Sequence, residues 1–429
     1  MKEDFMKRFR ILLSLGVLAT CFMGNLRPAA PVKAADSAST YNVVGVTYDD
    51  KIYSGKVDVK ALTDTLYSLN WTLDSGNTYS GIGLVDNKNL SVGLGDKCTI
   101  VSYMISQDGL GGIWAQIGSN KMGTETATLT GTATDGKIGG DYTVTGTNPD
   151  KSQYKGNLTV TPHGDVYQFS WKFDSSTDEG IGILQNGVVS VAFGDTNCSV
   201  ATFQESSDGS LSGVWGTYGQ NSIGLEEISV SLAGKYTVTG TNPDNSGYKG
   251  GLELTEHGPV YQFSWTVGSN SYDGIGVRQA GTISVGWGDT TCGVVAYRIL
   301  DSGALYGLWG QYGQNNVGAE FAASQKPGAD ISGNYAVEGI DFNNKSYKDS
   351  LTVKTLDAKN GFYNFTWTTA DNQTEQGFGI QFDDVVSVSL GGAKCAVASY
   401  KVDGNRNLTG LWGGLGSSAT GTENAAPAN

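Results

Sequence analysis

Four glutamates recur along the chain, each two residues after a glycine: Glu125, Glu226, Glu320 and Glu423. A carboxylate set in a stretch of small and apolar residues could serve as a general acid or a nucleophile. Glycosidic chemistry would then ask for a second carboxylate across the scissile bond. Asp96, Asp195 and Asp289 recur in a Gly-Asp turn and could supply it, but the fourth instance carries Gly391-Gly392 instead. Four like sites with one broken fit structural hydrogen bonds better than catalysis. Two histidines, His163 and His257, each precede a glycine at one turn. Neither brings the further ligands of a metal site or the supporting groups of a Ser-His-Asp relay. Asp49/Asp50, Asn148/Asp150, Asn242/Asp244 and Asp341/Asn343 gather oxygens at another turn. Calcium takes about six to eight oxygens, whereas a pair per turn is what an Asx turn supplies anyway. We expect no catalytic residues, no metal and no cofactor.

These residues are copies of one another. Tyr142-Thr143-Val144-Thr145-Gly146-Thr147-Asn148-Pro149-Asp150 returns as Tyr236-Thr237-Val238-Thr239-Gly240-Thr241-Asn242-Pro243-Asp244, with weaker forms at Tyr41 and Tyr335. After it come, in fixed order, a first tryptophan (Trp71, Trp171, Trp265, Trp367) and a Gly-x-Gly strand (Gly81, Gly180, Gly274, Gly377). Then follow one cysteine (Cys98, Cys198, Cys292, Cys395), a second tryptophan (Trp114, Trp215, Trp309, Trp412) and the closing Gly-x-Glu. The repeat defines modules at 40–126, 139–229, 233–323 and 332–424. The repeat accounts for every tryptophan but Trp287, which stands where copy two has Phe193, so Trp287 is the candidate ligand-binding residue.

The hydrophobic period is two. Tyr261, Phe263 and Trp265 alternate with Gln262, Ser264 and Thr266, the pattern of a strand with one dry face. Turn signals cut each copy into eight short strands joined by short loops, which is a meander. The fold class is therefore all-β: four tandem antiparallel eight-stranded meander modules, each closing into a small barrel, with an eight-bladed propeller as the alternative. The bare Gly-x-Gly face calls for a large ring laid over it. With one cysteine per module no disulfide can form inside a module, and equivalent positions of separate barrels would not meet, so buried thiols are expected. The junction at 229–234 is short, while 126–139 and 322–332 are longer and rich in small residues. On this reading the middle two modules are closely joined and brief proteolysis releases the outer two.

Residues 1–34 read as a signal peptide, with Lys7, Arg8 and Arg10 before an apolar run and Val32-Lys33-Ala34 as the cleavage site. Lipidation at Cys21 is a competing reading. The chain is thus expected to be secreted, or held in the periplasm or at the cell surface. The run is too short for a membrane span of about 20 residues. Losing this segment, with six basic against two acidic residues, takes the formal charge from −14 to −18. Such a charge repels nucleic acid and anionic lipid.

Tyr-Thr-Val-Thr-Gly-Thr-Asn-Pro-Asp, followed by Tyr248-Lys249-Gly250, Tyr261-Gln262-Phe263-Ser264-Trp265 and Gly274-Ile275-Gly276, resembles a repeat module of bacterial secreted proteins, some labelled fibronectin-binding. The resemblance covers most of copies two and three. It is thinner in copy one, with Tyr48-Asp49-Asp50 at the turn, and in copy four, with Asp349 after Tyr347-Lys348. It implies an exported, non-enzymatic, adhesive protein. We expect a multivalent binding protein whose partner is a repetitive extracellular polymer or envelope component. The alternatives are a small-ligand carrier using the barrel interiors and, behind it, a hydrolase.

Overall fold

The computed structural model describes residues 39–428 except 50, 87, 175, 207, 301–302, 325–329 and 418. The signal segment, with its cleavage site and Cys21, lies outside the described residues. Each copy forms eight strands. They run from Ser39–Val46 to Gly123–Leu129 in copy one and from Gly140–Thr147 to Gly224–Ser229 in copy two. In copy three they run from Gly234–Thr241 to Gly318–Ser324, and in copy four from Gly333–Ile340 to Gly421–Pro427. The strands close into four antiparallel eight-stranded barrels. Barrels, not propeller blades, dispose of the strand edges.

No barrel belongs to a single copy. The first five strands of copy one close with the last three of copy two, giving barrel I. The first five strands of copy two close with the last three of copy one, giving barrel II. Copies three and four exchange strands in the same way. Barrel III takes its first five strands from copy three, and barrel IV from copy four. The expectation of one barrel per copy missed this, because the chain crosses over in the loop before the sixth strand instead of turning back.

The crossing explains a pattern that alternation could not. The fifth strand of copy two, Val188–Phe193, is buried on both faces over most of its length. One face lines barrel II; the other packs on barrel I. Ile82, Leu84 and Ile100 of copy one meet Ile181, Ile183 and Val200 of copy two in a core between the barrels. Because the exchange is reciprocal, equivalent residues meet at its axis. Ser91 and Ser190 are hydrogen-bonded at 2.7 Å, and Ser284 and Ser387 at 2.6 Å.

The same geometry corrects the reading of the cysteines. Cys98 and Cys198 form a disulfide, as do Cys292 and Cys395. Each bond joins the two crossing loops of one exchanged pair. Equivalent thiols were expected to stay apart in separate barrels, but at a reciprocal crossing they are the residues that approach.

The junctions are likewise built into the fold. Ile138, Leu232 and Ile331 are buried, and each offers its carbonyl to a tyrosine hydroxyl: Tyr142, Tyr236 and Tyr335, at 2.6, 2.7 and 2.7 Å. They close the lower ends of barrels II, III and IV. The exchange therefore joins copy one to two and three to four, not the middle pair. Ile275 and Val277 of barrel III meet Val294 and Leu308 of barrel IV in the matching core between those barrels, and Val46 of copy one joins that core from the other half. A buried Arg278–Asp208 ion pair at 2.6 Å adds to that contact.

Candidate ligand sites in the barrel mouths

Each barrel holds one of the four glutamates near its upper end, and the repeat motifs exist to seat it. In barrel III Glu423 accepts hydrogen bonds from Trp265 Nε1 at 2.9 Å and Tyr400 at 2.7 Å on Oε1, and from Tyr248 at 2.8 Å on Oε2. In barrel II Glu125 accepts from Trp171 Nε1 at 3.0 Å, Tyr154 at 2.8 Å and Tyr103. In barrel IV Glu320 accepts from Trp367 Nε1 at 3.1 Å, Tyr347 at 2.7 Å and Tyr297. Barrel I departs: Glu226 accepts from Trp71 Nε1 at 3.1 Å and Tyr53 at 2.7 Å, while Phe203 takes the third place.

The glycines make room for these rings. A Cβ on Gly274 would lie 2.9 Å from the Trp265 ring, and one on Gly180 would lie 3.1 Å from Trp171. The bare strand face is thus covered by large rings, the first tryptophan over the first glycine and, in copies two to four, Phe169, Phe263 or Phe365 over the second. The glycine of each Gly-x-Glu underlies the second tryptophan, and Gly240 underlies Tyr248. The glutamate and the strand-six tyrosine come from one copy, while the first tryptophan and the other tyrosine come from the partner copy. Every cluster is therefore assembled by the exchange.

Burial dominates the ionisation of these groups. It raises Tyr103, Tyr297 and Tyr400 well above the usual phenol range, and the neighbouring carboxylate adds to the effect. Glu320 is raised by burial against three opposing hydrogen bonds. Glu226, one donor short, is pushed up to about 7 by burial. Tyr248 and Tyr347 were noted in the sequence only as landmarks of the repeat, and nothing there tied the tyrosine at Tyr53, Tyr154, Tyr248 and Tyr347 to the glutamates.

Above the clusters the barrels differ. In barrels I and IV an aromatic residue from the first turn leans on the second tryptophan. Tyr48 lies edge-on to Trp215 at 6.0 Å, and Phe342 edge-on to Trp309 at 5.7 Å. In copies two and three that turn position is Pro149 or Pro243. Barrel III has a mouth cavity of about 310 Å³ reaching from Asn242 and Asn270 down to Glu423. Barrel II has one of about 870 Å³ reaching down to Glu125, with Lys97, Lys155, Asp174 and Asp178 at its rim.

Trp287 belongs to the barrel III cavity. It is the last residue of the fifth strand, Thr282–Trp287. Its ring stands edge-on between Trp412 and Tyr272, 5.8 Å from each. His163 and His257 end the second strands of their copies, at the barrel end opposite the mouths. Asp195 and Asp289 cap the crossing loops, accepting the backbone N–H of Asn197 at 3.2 Å and of Thr291 at 2.8 Å. Asp150 and Asp244 accept from Ser152 and Ser246 within their turns. Among the described residues no helix is long and apolar enough to cross a membrane. Comparison with protein-family models, with characterised proteins and with solved structures returns no match.

Proposed function

We propose that the protein is an exported, non-catalytic binding protein that takes small ligands into the mouths of barrels II and III. The observation that carries this reading is the difference between the mouths. Tyr48 and Phe342 lean over two of them, whereas prolines at the same turn leave the other two open above aromatic walls and a seated carboxylate. Concave, mostly apolar sites with a few convergent polar groups are where small molecules bind. Binding inside the barrel walls favours the small-ligand carrier reading. Two open mouths on one chain still make it bivalent, so a partner that displays its ligand repeatedly would be held with avidity.

The test is to graft the covering ring. Pro243→Phe gives barrel III the residue that barrel IV has, and Pro149→Tyr gives barrel II the residue of barrel I. Small molecules that raise the melting temperature of the parent chain should lose that effect in one graft or the other. Ligands that stabilise the doubly grafted chain as well as the parent would contradict the proposal.

A further inference from the structure

The two open mouths are not alike in charge. The barrel III cavity is walled by three indoles, Trp265, Trp287 and Trp412, and by Tyr248, Tyr272 and Tyr400. Among the described residues its one charged lining residue is Glu423, and no lysine, arginine or histidine lines it. In barrel II, Phe193 and Asp178 stand where barrel III has Trp287 and Tyr272, and Lys97 and Lys155 join the lining. Faces of aromatic rings carry partial negative charge and attract cations, most strongly where water is displaced. A carboxylate beneath them adds to the same field.

The kind of cation follows from the hydrogen bonds. A carboxylate offers about four lone-pair sites. Tyr400 and Trp265 occupy two on Oε1, and Tyr248 occupies one on Oε2. A primary ammonium would need three acceptors, and the carboxylate has one site left, on Oε2, to offer it. A quaternary ammonium needs none. From this geometry we propose that the mouth of barrel III is a site for a small quaternary-ammonium head group, held by cation–π contact with Trp287, Trp412 and Trp265 over the Glu423 carboxylate. The proposal rests on the reading of the barrel mouths as binding sites and adds the ligand class for one of them.

The experiment titrates the full chain with choline, and with 3,3-dimethyl-1-butanol, in which carbon replaces the quaternary nitrogen, while tryptophan fluorescence is followed. Choline should bind at least about tenfold more tightly than the alcohol. Trp287→Leu should abolish that preference. Leucine stands at this position in copies one and four, as Leu94 and Leu390, so the fold tolerates it. Phe193→Ala in barrel II should leave choline binding unchanged. Equal affinity for the two probes, no choline binding, or choline binding that survives Trp287→Leu would each overturn the proposal. If the alcohol binds as well as choline and both depend on Trp287, only the cation falls and the mouth remains a site. If Pro243→Phe removes no ligand of any kind, the reading of the mouth itself falls.

Discussion

Glu226 sits among apolar neighbours with two hydrogen-bond donors where its three counterparts have three. Burial raises its folded-state pKa from 4.5 to about 7, so folding favours the protonated form. The stability it contributes is complete below pH 4.5 and is lost as pH rises through about 7. The loss is about 3 kcal/mol. Glu227 beside it is also pushed to about 7 by burial and titrates in the same window. Phe203→Tyr would return the missing donor. It should stabilise the chain by roughly 1–3 kcal/mol at pH 8, the worth of a hydrogen bond to a charged group, and by less at pH 5. Urea unfolding at the two pH values measures this; an equal change at both, or a net loss, would count against it. The departure at Phe203 was legible in the sequence, but its meaning was not. Glu226 lies 155 residues from Trp71 and 173 from Tyr53, and no local pattern ties such positions together.

At the scale of the strand, alternation and turn chemistry were enough to read eight strands per copy and closure into barrels. They were not enough to say which strands close together. Crossing over and turning back use the same strands, and the choice shows only in what covers the outer face. The sign of it was present in Cys292-Gly293-Val294-Val295-Ala296-Tyr297, apolar on both faces where a barrel wall facing water would alternate. A single copy has five strands that lack their closing partners and three more that belong elsewhere. Copy two expressed alone should therefore yield no folded monomer. Two molecules should instead exchange strands with each other, as copies one and two do, and sediment as a dimer. A monomer that unfolds cooperatively would show that one copy can close on itself.

Across the whole molecule, four copies make two exchanged pairs, and each pair holds one open and one covered mouth. Barrel I meets both barrels of the other half: the Ile52 backbone N–H donates to Asn344 of copy four at 3.0 Å, and Asp208 pairs with Arg278 of barrel III. The repeat had pointed to four modules, but it could not show that two mouths are open and two covered. Pro149 and Pro243, against Tyr48 and Phe342, carry that distinction in the sequence; it acquires meaning only once Trp215 and Trp309 stand beside the turn in space. The disulfides follow the same plan, each closing about 100 residues of chain, which in a chain-entropy model stabilises the fold by about 4–5 kcal/mol. All of this rests on which copies exchange strands, and the cysteines record that choice. Peptide mapping of the intact chain under non-reducing conditions should find Cys98 linked to Cys198 and Cys292 linked to Cys395. A Cys198–Cys292 link, or four alkylatable thiols in the oxidised native chain, would contradict the exchange of strands that builds every mouth.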